Sequence, residues 1–153
     1  MLVSMDYLSP LITEILENNG TVKLTITGNS MRPLWHSRKD EVVLQRCEPY
    51  NLKKYDIPLY QREDGKYIIH RIIKVKRDTF DIIGDAQTEI ERDVPKSSII
   101  AVVSEFTHKG KLVKCSNTLY KIYSFLWCLV RPFRRLIFKT HEFLLKIKKR
   151  KKK

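Results

Sequence analysis

Disulfide chemistry has little to build on in this chain. Its 153 residues include three cysteines, Cys47, Cys115 and Cys128, at unrelated spacings and with no C-x-x-C pair. An odd, scattered set supports neither a disulfide framework nor a zinc site, and it gives no sign of an oxidising compartment. Long apolar runs are also missing. No stretch reaches 18 uncharged apolar residues, so a conventional membrane-spanning helix is not expected. The start, MLVSMDYLSPLITEILENNG, lacks a basic opening, and Asp6, Glu14 and Glu17 interrupt it, so it does not read as a signal peptide. Acidic residues are scarce in one place only. Residues 1–108 carry 15 Lys+Arg against 16 Asp+Glu, whereas residues 109–153 carry 15 against Glu142 alone. The net charge of +13 is thus a nearly neutral body with a strongly basic end. No internal repeat occurs. The content of 42% hydrophobic and 31% charged residues reads as one globular domain with a real core.

Three regions follow from the patterning: an N-terminal helix over 1–20, a β-rich core over 21–108, and a basic amphipathic helical tail over 109–153. In the first, Ser9 suits an N-cap, Pro10 the first turn and Gly20 the stop, with Leu8, Leu11, Ile12, Ile15 and Leu16 at helical spacing. In the second, six short runs read as strands: TVKLTIT, DEVVLQRC, DIPLYQR, KYIIHRIIKVKR, TFDIIGD and SSIIAVVSEF. Asp64-Gly65 signals a hairpin whose two central residues take positive φ, and KRDTFD a second tight turn. Pro58 hints at an edge strand or an irregularity. Short strands without long helices between them predict a mainly β fold. From Asn117 on, Leu119, Ile122, Leu126, Leu129, Phe133, Ile137, Leu144 and Ile147 trace one helical face, with Pro132 dividing the helix.

The stretch TGNSMRP, Thr27–Pro33, breaks the first strand and holds the first candidate for chemistry. A serine hydroxyl attacks only when a base takes its proton and donors hold the oxyanion. Gly28 permits close approach of a substrate backbone, Pro33 fixes the chain beyond, and the Ser30 N–H is a candidate oxyanion donor. The same residues also make ordinary turns. Among the histidines, His36, His108 and His141 read as solvated. His70 interrupts an apolar strand and shares a face with Ile68 and Ile72, which predicts a buried, neutral imidazole able to act as a general base. Asp85, in Gly84-Asp85, is the first candidate to hold that imidazole, or else an Asx-turn residue; Glu91 and Asp93 are weaker ones.

Taken in order, GNSMRP, KDEVVL, LKKYDIPLY, HRIIKV, IIGDAQ and SIIAVV resemble the signal peptidase I family and its relatives among the self-cleaving repressor proteases, over about Val22 to Val103. With histidine before Arg71-Ile72, the chain is similar to the branch that uses histidine rather than lysine as base. The resemblance implies a signal peptidase-like β-rich catalytic core, Ser30 as nucleophile, His70 as base, Asp85 as supporting acid, and Met31 lining a pocket for a small residue before the cut. Gly28 and Pro33 would border the substrate, bound as an added strand. Lys39 and Tyr55 depart from the glycines that commonly precede the two aspartates. The implied activity is cleavage of an exported or secreted peptide, with no metal or cofactor. A regulatory domain like the repressor proteases, or an inactive membrane-binding β-domain, are the alternatives. The basic helix, with Leu126, Trp127, Arg131, Arg134 and Arg135, suits an anionic membrane surface on the cytoplasmic side better than a nucleic acid.

Overall fold

A computed structural model describes the backbone of residues 5–134 and the side chains of residues 10–134. Within them the fold is mainly β: nine strands in antiparallel sheets and two α-helices. Helix α1 (Met5–Glu17) begins before Ser9 and carries Pro10 inside it. The expected N-cap at Ser9 is therefore not the helix start. Pro10 forfeits one bond in the early turns of an otherwise continuous amphipathic helix. Ile12 and Leu16 are buried while Leu11 is exposed. The helix ends on Asn19 (φ +57°), with Asn19 N–H to Leu16 O and Gly20 N–H to Ile15 O at 3.1 and 2.9 Å. Gly20 is required for room, since a Cβ there would lie 2.7 Å from Ile15 O.

Strands β1 (Thr21–Thr25), β2 (Glu41–Gln45), β3 (Pro58–Gln61), β4 (Tyr67–Ile69) and β8 (Ile99–His108) form a curled sheet in the order β1-β2-β8-β3-β4. Strand β9 (Lys111–Lys114) pairs with β8 beyond β3, so a β8–β9 hairpin crosses the boundary expected at residue 108. Strands β5 (Arg71–Val75), β6 (Thr79–Ile83) and β7 (Glu91–Pro95) form a second sheet. Pro58 sits at the start of β3, where a missing N–H costs least, and a bulge follows at Leu59/Tyr60. At the β3–β4 hairpin only Gly65 has positive φ (+81°). Gly65 N–H to Arg62 O and Arg62 N–H to Lys66 O close a three-residue loop rather than a two-residue one. The β5–β6 turn closes as expected, with Lys76 N–H donating to Thr79 O at 3.0 Å.

The run expected as one strand, KYIIHRIIKVKR, is two. It breaks at His70, where the chain leaves the first sheet as β4 and enters the second as β5. The apolar alternation continues across the break because two cores lie on either side. One joins Ile12, Leu16, Trp35, Val42, Leu44, Leu59, Val103 and Phe106; the other joins Tyr60, Ile72, Phe80, Ile82 and Ile99.

Helix α2 (Thr118–Leu129) is capped by the Asn117 side chain, which accepts from Leu119 and Tyr120 N–H. A short 3₁₀ turn at Arg131–Phe133 contains Pro132, the division the sequence predicts. Tyr120 and Ser124 face the body, and the apolar row faces out: Leu119 is 77% exposed, Phe133 63%, and Ile122, Phe125, Leu126 and Leu129 are exposed too. None of the described helices is long and apolar enough to cross a membrane.

Candidate active site

Ser30 stands on the turn after β1. Gly28, at φ +94°, sets the direction of the chain and donates its N–H to Ser37 Oγ at 3.1 Å. The Ser30 carbonyl accepts from Ala86 N–H at 2.7 Å, and a Cβ on Gly84 would lie 2.7 Å from that carbonyl. Gly84 is thus glycine because the Ser30 backbone rests on it. This contact fixes Ser30 against the turn after β6, whose last residue Ile83 pairs with Arg71, next to His70. Among the described residues, neither the Ser30 N–H nor its hydroxyl has a hydrogen-bond partner.

A cleft of about 150 Å³ opens beside Ser30, lined by Leu24–Gly28 on one side, Tyr67, Ile68 and Ile69 on the other, and Met31, Trp35 and Leu59 below. It lies between the two ends of the curled sheet: β1 pairs with β2 alone and β4 with β3 alone. Met31 lines this cleft. Pro33 does not; it is exposed and borders a separate depression with His36 and His108. A proline that ends the turn points the chain away from the cleft it has just bordered.

His70 is buried, and its Nδ1 lies 3.0 Å from Glu91 Oε1 and 3.5 Å from the Tyr60 hydroxyl. A carboxylate only accepts, so Nδ1 donates to Glu91, and Nε2 makes no hydrogen bond among the described residues. Among the described residues, the enclosed polar side-chain atoms without partners are Trp35 Nε1, Tyr123 OH and Arg134 Nε, so His70 Nε2, also unpartnered, retains an opening to solvent. Glu91 is held in turn. Its Oε2 accepts from Arg62 Nε at 2.7 Å and from Tyr60 OH at 2.9 Å, and its Oε1 pairs with Arg62 NH2. Burial alone would raise the Glu91 carboxyl; donors from His70, Arg62 and Tyr60 outweigh it and bring the pKa down to about 2. Burial and the neighbouring Glu91 charge push the Tyr60 hydroxyl far up, so it stays a donor. Among the described residues, no hydrogen bond joins Ser30 Oγ to the His70 ring.

Asp85 does not hold His70. It is fully buried in a two-pronged pair with Arg71, Nε to Oδ1 at 2.9 Å and NH2 to Oδ2 at 2.7 Å. Arg71 NH1 also donates to Tyr55 O, Tyr120 OH and Ser124 Oγ at 3.2, 3.1 and 2.8 Å. A guanidinium cannot shed its charge, so once buried beside the turn it claims the nearest carboxylate. Asp93 is exposed and bonds Lys76, away from His70. Glu91, one of the two weaker sequence candidates, is the acid at the imidazole.

The cysteines offer no rival nucleophile, because burial pushes Cys47 to about 11 and Cys115 to about 12, and raises Cys128 as well. Two residues expected at a membrane are built into the body. Trp127 Nε1 donates to Asp85 O at 3.1 Å, and Arg134 is fully buried, reaching Gly84 O at 3.3 Å and Trp127 O at 3.1 Å. Arg131 is half-buried, Leu126 is exposed, and Arg135 lies outside the described residues. No protein-family profile and no characterised protein matches the chain.

Proposed function

We propose that the protein is a serine endopeptidase of the signal peptidase-like class, with Ser30 as nucleophile, His70 as base and Glu91 as the acid that orients it. The observation that carries this reading is an imidazole whose Nδ1 is held by an ionised carboxylate, one residue beyond Ile69, which lines the same cleft as an unpartnered Ser30. An extended substrate segment enters between the free edges of β1 and β4, and main-chain pairing aligns it. The small enclosed volume beside Met31 and Trp35 favours a small side chain just before the cut. With substrate in place, Ser30 Oγ donates to His70 Nε2, the contact this mechanism requires. Oγ bonds the scissile carbonyl carbon, its proton passes to Nε2, and the unpartnered Ser30 N–H receives the oxyanion. His70 returns the proton to the leaving amine, and water repeats the sequence to release the acyl group. Tyr55, where the resemblance leads one to expect glycine, adopts φ +83°, a conformation glycine favours.

Attachment to an anionic membrane belongs to the same reading. The outward apolar row of α2 leads into residues 135–153, which hold nine Lys+Arg and one Glu. Each cation near an anionic surface contributes about 1 kcal/mol. The test is labelling by a fluorophosphonate probe together with cleavage of peptides bearing small residues. Wild type is labelled and cleaves; Ser30→Ala and His70→Ala do neither. Labelling that survives in Ser30→Ala rejects the assignment.

A further inference from the structure

His36, Asp40 and His108 offer three ligand atoms that all lie within 4.8 Å of one another, at the back of the turn that carries Ser30. We propose that they form a binding site for a divalent transition-metal ion of the zinc class. Nothing in the spacing announces it, since His108 is 68 positions beyond Asp40 and arrives from the end of β8.

Each side chain is already prepared for the role. His108 Nδ1 lies 2.7 Å from Leu34 O, and a carbonyl only accepts, so Nδ1 donates there and Nε2 is the nitrogen left to ligate a metal. A second nitrogen anchored on a backbone carbonyl is the usual support of a metal-bound histidine. Asp40 is buried, and among the described residues no Lys or Arg lies within ion-pair distance of it. Its Oδ2 accepts the His36 backbone N–H at 2.7 Å and faces His36 Nδ1 at 3.4 Å. A buried carboxylate with so little compensation is costly, and a dication removes that cost. Ligands about 2.0–2.1 Å from a tetrahedral zinc stand about 3.3 Å apart, close to the His36–Asp40 separation of 3.4 Å. The His36 side chain is 40% exposed, so its ring has room to complete the remaining edge towards His108. Two imidazoles and one carboxylate suit zinc, copper, nickel or ferrous iron, and leave a fourth position for water.

The consequence is local stiffening. Ser37 Oγ receives the Gly28 N–H, and Arg38 N–H and Asp40 O bond Ile26, so the segment between the two ligands is already tied to the corner that presents Ser30. The ion would pin that corner to the β8–β9 hairpin.

The experiment uses full-length, chelator-stripped protein titrated with zinc chloride by calorimetry, and with cobalt chloride by visible absorption. The expected result is one tight equivalent of zinc, a cobalt spectrum without thiolate charge-transfer bands, and a raised melting temperature with zinc. His36→Ala, an exposed change that keeps the fold, should weaken zinc by more than the roughly 10–100-fold that losing an outer partner costs. His141→Ala should bind as wild type. Absence of a stoichiometric equivalent, unchanged affinity in His36→Ala, loss of binding in His141→Ala, or thiolate bands would each overturn the site.

Discussion

Replacing Asp85 by Asn tests the division of labour between the two acids. The substitution preserves volume and backbone but leaves the fully buried Arg71 guanidinium without its counter-charge. Tyr55 O, Tyr120 OH and Ser124 Oγ still accept from NH1, while the bonds from Nε and NH2 lose the carboxylate. Breaking one side of a buried pair costs about 3–5 kcal/mol. For a chain of this size each kcal/mol moves the melting temperature by about 2–4 °C, so a drop of roughly 6–20 °C is expected. Arg71→Met with Asp85→Leu, which removes both charges together, should recover most of that loss. Urea unfolding followed by circular dichroism reads the stability, and fluorophosphonate labelling at a temperature where the variant is folded reads the site. Labelling close to wild type per folded molecule is expected. A variant as stable as wild type that no longer labels would show Asp85 to be on the reaction path, and the reasoning here would be wrong.

Glu91→Gln should behave in the opposite way. An amide can donate to Nδ1 and turn the imidazole over, so labelling should fall on the order of 10⁴-fold, as when a triad acid is neutralised. The same carboxyl has a folded pKa of about 2 against an ordinary 4.5. Its stabilising contribution is therefore complete above about pH 4.5 and fades as pH falls towards 2, and the variant's acid unfolding should be flatter over that window. Leu126→Ser or Leu129→Ser should each weaken binding to anionic vesicles by roughly fivefold, the share of a half-buried apolar side chain, and leave the melting temperature unchanged because both face outward. An equal affinity in either variant speaks against α2 as the lipid-facing surface. Gly28→Ala has open space for its methyl but must hold φ +94°; denaturant unfolding should show a loss of about 1–3 kcal/mol.

The strands were legible wherever one face is buried, because alternation then leaves a mark: Val42 and Leu44 on β2, Ile72 and the apolar end of β6. Strand β7, Glu-Arg-Asp-Val-Pro, carries no such mark, since most of it is exposed and its place is set by pairing with β6. The break at His70 was hidden because the apolar run continues through it, Tyr67 and Ile69 against one core and Ile68 and Ile72 against the other. In the last helix the apolar row faces out over Leu119–Phe133, the side the sequence reading gave to a membrane, while Ile137, Leu144 and Ile147 lie outside the described residues. The body offers α2 a polar socket, the unsatisfied N–H groups of Arg71, so Tyr120 and Ser124 turn inward and the leucines turn out. Which polar residues would anchor the inner face depends on the charge buried beneath the helix, and no helical period contains it.

The assignment of the two acids follows from the same charge. His70 and Arg71 are neighbours at the point where the chain changes sheets, and each needs an acceptor. A neutral imidazole is satisfied by one bond, whereas a buried guanidinium requires a carboxylate in the right plane. If Asp85 served His70, Arg71 would be left enclosed with no counter-ion, a loss of several kcal/mol that one imidazole bond of about 1–3 kcal/mol does not offset. Glu91 can serve His70 because Arg62 and Tyr60 keep it ionised at the mouth of the site, where its side chain is 24% exposed. Glu91→Asp gives the converse check: a carboxylate shortened by one methylene keeps the charge but retracts from Nδ1. It should preserve stability better than Asp85→Asn while lowering the labelling rate. A rate equal to wild type would mean the imidazole needs no fixed acid at all.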